Sequence, residues 1–84
     1  MAQLTSAGAL FGERLRELRK KRGITQVMLA ETTGIPQNHV SSIERGTKVP
    51  NLVTLIRLAH ALDCKVTALV SVFDKEDLAK LSPK

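Results

Sequence analysis

Residues 30–46 read AETTGIPQNHVSSIERG, and how this stretch divides decides the fold. Gly34 interrupts a run of helix-forming residues, and Pro36 follows two positions later. Glycine supplies a backbone geometry that a side chain would strain. Proline in the first turn of a helix lacks only an N–H that would go unpaired there. The break therefore separates two helices. Beyond it, at about 100° per residue, Gln37, Asn38, Ser41, Ser42 and Arg45 share an arc about 140° wide, with Val40 and Ile43 nearly opposite. One side of this segment is anchored. The other is turned outward and carries mostly amides and hydroxyls.

Working outward, Thr25 is a good N-cap for a short helix through Thr33, with Leu29 and Ala30 facing inward. Upstream, Leu10–Arg22 reads LFGERLRELRKKR, and Phe11, Leu15 and Leu18 fall in one arc of a first helix. Gly23 ends it, with Arg and Lys in the last turn where the helix dipole favours cations. Residues 1–9 are small and polar and read as a flexible lead-in, with Ser6 as a helix cap. Downstream, the helix ending at Gly46 is followed by Asn51, which caps LVTLIRLAHAL, where Leu52, Leu55, Ala59 and Leu62 form an apolar stripe. The segment KVTALVSVF carries both a helical and an alternating pattern, and its all-helical context favours helix. Residues 74–84 form a short tail in which Asp74 caps a final turn. The expected fold is all-α: a compact five-helix domain over residues 10–73.

Composition narrows the function classes. The chain has 84 residues, so one domain is expected. Thirteen Lys and Arg against eight Asp and Glu give a formal charge of +5, which favours a polyanionic partner. With two Phe, no Trp and no Tyr, the chain is nearly without the rings that stack single-stranded bases, which argues against that class. Cys64 is the only cysteine, so no intrachain disulfide framework exists. His39, His60 and Cys64 lack metal-ligand spacing, and no nucleophile–base arrangement or Gly-rich phosphate loop is present. No enzyme, metal or cofactor is expected. The absence of a signal-peptide pattern and of a run near the roughly 20 apolar residues of a membrane span points to the cytoplasm.

The outward face of Gln37–Arg45 has chemistry suited to selection. Base edges in the major groove are read by hydrogen bonds, and an amide pairs bidentately with adenine. Peripheral Lys and Arg hold the phosphate backbone without choosing sequence. An ordinary solvated face has the same look, so the wheel alone leaves both readings open.

The wider pattern ITQVMLAETTGIPQNHVSSIERGTKVPNLVTLIRLAHAL, residues 24–62, resembles the phage-repressor-like helix-turn-helix family, of the Xre or Cro/repressor type. Thr25-Gln26, Leu29-Ala30, Gly34-Ile35, Val40, Ile43-Glu44, Gly46, Pro50, Leu52, Leu55, Leu58-Ala59 and Leu62 carry the resemblance. It implies a transcriptional regulator that binds double-stranded DNA, with a recognition helix starting near Gln37. Gln37, Asn38, Ser41 and Ser42 would then contact bases. Thr25, Gln26, Arg45, Thr47 and Lys48 would contact the backbone, with His39 touching phosphate on the flank. The resemblance also implies a structural ion pair between Arg19 and Glu44. Two positions depart from the family pattern: Pro36 stands where Ser or Thr usually caps the recognition helix, and ALDCKV replaces a Gly-containing link to the fifth helix.

Three expectations remain. Arg14 and Arg16 read as a solvated basic face balanced by Glu13 and Glu17, while Lys21 or Arg22 is a further candidate for approaching DNA. Leu69, Val70, Val72 and Phe73 are too many apolar residues for the edge of so small a domain and read as a homodimer interface. A dimeric repressor reading a palindrome is the leading functional reading. An antitoxin-like protein that neutralises a toxin partner and autoregulates its operon is the alternative.

Overall fold

The computed structural model describes the backbone over residues 2–73 and the side chains over residues 7–73, and within these it is all-α. The helices are α1 (Ala2–Lys21), α2 (Gln26–Thr33), α3 (Gln37–Arg45), α4 (Leu52–Ala61) and α5 (Val66–Val70). The final turn expected after Asp74 lies outside the described residues.

Each boundary has a local cause. Gly23 closes α1 in the left-handed region at φ 68°. The Thr25 side chain accepts from Met28 N at 3.1 Å and opens α2. Gly34, at φ 77°, ends α2 and turns the chain into α3. Asn51 Oδ1 accepts from Thr54 N at 2.8 Å and opens α4. Pro36 sits at the N-cap of α3 and not inside its first turn; it offers no side-chain acceptor, and its carbonyl takes the amides of His39 and Val40.

Phe11, Leu15, Leu29, Ala30, Ile35, Val40, Ile43, Leu58, Ala59, Leu62 and Leu69 form one core. α1 packs most extensively on α3 and also meets α5; α2 bridges α3 and α4; α4 meets α5. Three sequence expectations are corrected here. First, the backbone is helical from Ala2, so residues 2–9 extend α1 and are not a flexible lead-in, and Ser6 lies inside the helix. The extension has a use: Gly8 and Gly12 lie one turn apart and let α1 press backbone-on-backbone against the end of α3. A Cβ at Gly12 would stand 2.5 Å from the carbonyl oxygens of Ile43 and Glu44. Second, Leu52 is 67% exposed and outside the core stripe, because α4 turns Leu58 and Ala59 inward instead. Third, Leu69 is fully buried within the chain and has no surface to offer a second copy.

The link that departs from the family pattern also has a simple answer. Asp63 adopts the left-handed conformation, φ 52°, at the position after α4 where glycine would serve. Arg14 pairs with Glu17 at 2.9 Å, as the balanced basic face implied, but it is only partly exposed and its Nε also donates to Ala68 O in α5 at 2.8 Å. Arg22 donates to Asp63 O at 2.8 Å, which ties it to the α4–α5 link.

Candidate nucleic-acid interface

α3 is held from behind by two kinds of contact. Val40 and Ile43 are buried, and a carboxylate locks the helix end. Arg19 Nε and Nη2 donate to Glu44 Oε2 and Oε1 at 2.6 and 3.0 Å, while Nη1 reaches Ile24 O at 2.8 Å. Both side chains are nearly excluded from water, with 10% and 4% of their surface exposed. Gln26 Nε2 adds a third donor to Glu44 Oε1 at 3.0 Å. The expected pair is therefore a three-residue bridge joining α1, α2 and α3. Such buried charge clusters fix orientation more than they add stability.

With α3 fixed this way, Gln37 and Asn38 are exposed, and Ser41 and Ser42 are half-buried on the same face. Arg45 is exposed and folds back over them: Nη1 donates to Ser41 Oγ, and Nη2 to Ser42 Oγ at 3.3 Å. Gly46, at φ 82°, ends α3, and Thr47 Oγ1 donates to Ser42 O at 3.1 Å. On the flank, Lys48 Nζ donates to His39 Nε2. The structure sets Gln37, Asn38, His39, Ser41, Ser42, Arg45, Thr47 and Lys48 on or just beyond α3, with Gln26 joined to its end through Glu44, while Arg22 is turned to the α4–α5 link. Thr25 differs in that its hydroxyl is already engaged as the α2 cap, and Gln26 in that half of its amide serves Glu44.

The sequence reading missed two features. Gly8 and Gly12, spaced four apart on α1, were the available signal for a close helix crossing. Val49, Leu52, Val53 and Ile56 are all about half exposed or more, so α4 presents an apolar outer surface beside an apolar inner one. Elsewhere, burial pushes the Cys64 thiol above its usual range, partly offset by Arg22 and Arg14, which keeps it protonated and weakly nucleophilic at neutral pH. No group of three metal-ligating side chains gathers among the described residues. No helix described is long and apolar enough to cross a membrane.

A capped helix, a left-handed glycine turn and a second helix with one polar face outward make a helix-turn-helix, the class of fold that presents a helix to DNA. The immunity repressor of Bacillus phage phi105 is 37% identical over 75 residues, covering 87% of this chain and 52% of the repressor. The transcriptional regulator SinR of Bacillus licheniformis is 30% identical over 69 residues, covering 81% of this chain and 62% of SinR. The chain thus spans about half to three fifths of these two relatives. Among solved structures, the restriction-modification controller protein C.AhdI of Aeromonas hydrophila is 40% identical, with a TM-score of 0.73 over 74% of this chain and 94% of that one. A family model described as helix-turn-helix matches residues 15–69, and the chain belongs to this Xre or Cro/repressor-type family of DNA-binding transcriptional regulators, not to a family of enzymes.

Proposed function

We propose that the protein is a dimeric, sequence-specific repressor that acts in the cytoplasm by occupying a two-fold symmetric operator, reading it with α3 in the major groove. One observation carries this reading: the polar face of α3 is held outward by contacts that use none of its own readers. Val40, Ile43 and the Arg19–Glu44–Gln26 bridge do the holding, while Gln37 and Asn38 are exposed. Amides at the start of a recognition helix suit base edges, with Ser41 and Ser42 a turn further on. Thr47, Lys48 and His39 flank the face and suit phosphates, together with the α2 N-terminus at Thr25 and Gln26.

The dimer draws on apolar surface that a lone domain leaves open. Val70, Val72 and Phe73 are half-buried; Val70 and Phe73 line a groove of about 260 Å³ with Phe11, Val49 and Leu55, and Val53 and Ile56 leave further apolar surface exposed on α4. Pairing across this surface would set two α3 helices about 34 Å apart, one turn of DNA. Selection of bound sequences from a random duplex pool tests the whole reading. A palindrome with half-sites one turn apart is expected; no enrichment rejects it. The same exposed α4 surface favours a second reading, in which it seats a different protein, such as a toxin, and α3 serves autoregulation. A monomer that binds its operator only with a co-purifying partner would select that reading.

A further inference from the structure

We infer that Arg45 reads a guanine in the major groove, its guanidinium held over the α3 face by Ser41 and Ser42. The inference rests on the operator reading above and reassigns a residue that the family resemblance grouped with the backbone contacts. At about 100° per residue, Arg45 is the median position of the outward arc, between Ser41 on one side and Ser42 on the other. Helical side chains lean toward the N-terminus. Arg45 does so here, so that its charge lies one turn back, above the two serines, and not out at the helix end. A cation over the middle of a recognition face meets base edges, whereas phosphates line the rims of the groove.

The hydrogen-bond inventory agrees. Two guanidinium N–H groups go to the serine oxygens, which leaves Nε–H and one hydrogen on each terminal nitrogen to donate. Guanine offers two adjacent acceptors in the major groove, O6 and N7, which match a guanidinium fork. Adenine places a donor beside its N7 and repels it. Arg45 forms no ion pair among the described residues, and Glu44, its neighbour in sequence, is turned inward to Arg19. The serines act as positioning residues. Each hydroxyl accepts from Arg45 and keeps its own proton.

The test is selection from a random duplex pool with the wild type, Arg45→Ala, Arg45→Lys and the Ser41→Ala/Ser42→Ala double variant. Affinities are then measured on the best duplex and on one with the guanine replaced, and thermal melts confirm that every variant folds. The wild type should enrich a guanine at one fixed position in each half-site, with affinity roughly ten-fold or more above the replaced duplex. Arg45→Ala should lose that preference alone and keep the others. Arg45→Lys should narrow it, because a point charge lacks the fork. The serine double variant should reduce the ratio while leaving guanine preferred. Equal weakening on every duplex by Arg45→Ala, or an unchanged selected sequence, would overturn the inference and leave the operator reading standing. No enrichment by the wild type would overturn both.

Discussion

α3 and α4 are neighbours of nearly equal length, nine and ten residues, yet they meet their surroundings in opposite ways. α3 has one apolar face and one polar face, with the apolar one fully spent on the core. α4 is apolar on both sides: Leu58 and Ala59 face inward, while Leu52, Val53 and Ile56 face outward. Arg57 and His60 are also exposed on α4, but Leu52, Val53 and Ile56 form an apolar patch of the kind that marks a contact surface. The difference separates what each helix needs. α3 is complete within one chain and offers chemistry outward; α4 is left with surface that water does not favour.

This contrast can be broken most severely at the Glu44 bridge. Glu44→Ala leaves the Arg19 guanidinium buried without its counter-charge and should cost about 3–5 kcal/mol of stability in a urea melt. Replacing both residues together, Arg19→Met with Glu44→Leu, should cost far less. Gly12→Ala acts on the same junction by steric means, pushing α1 off the carbonyls of Ile43 and Glu44, with an expected loss of roughly 1–3 kcal/mol. On the polar face itself, Gln37→Ala or Asn38→Ala should leave the melt unchanged and weaken cognate DNA by about 1–3 kcal/mol, with discrimination relaxed at one base pair. On the α4 side, the double change Val53→Glu/Ile56→Glu should turn the proposed dimer into a folded monomer in sedimentation. A two-half-site duplex should then bind like a single half-site. The smallest effect is expected at the end of α4, where Asp63→Gly relieves a left-handed aspartate and should raise stability by about 0.5–1 kcal/mol, read as a rise of a few degrees in Tm.

The same contrast explains what the sequence disclosed. Turn glycines, caps and a single apolar stripe are local signals, and they placed α2, α3 and the start of α4. They also set the polar face of α3 outward, because Val40 and Ile43 left only one side for the core. In α4, periodicity had two apolar sides to choose between, and Leu52 was assigned to the wrong one. Contacts distant in sequence left no local mark: Arg14 reaching Ala68, and Gln26 joining Glu44. The onset of α1 at Ala2 was hidden because a run of small residues reads as loose chain until the helix it touches is known.

The crossing of α1 and α3 bears on how such a reader can change. Where two main chains meet with no side chain between them, the angle of approach is set by geometry that no rotamer adjusts. Gln37, Asn38, Ser41, Ser42 and Arg45 all lie outside that crossing. On the proposed operator reading, the lettering on the outer surface is therefore exchangeable: a new preference can be written there while the mount beneath stays as it is.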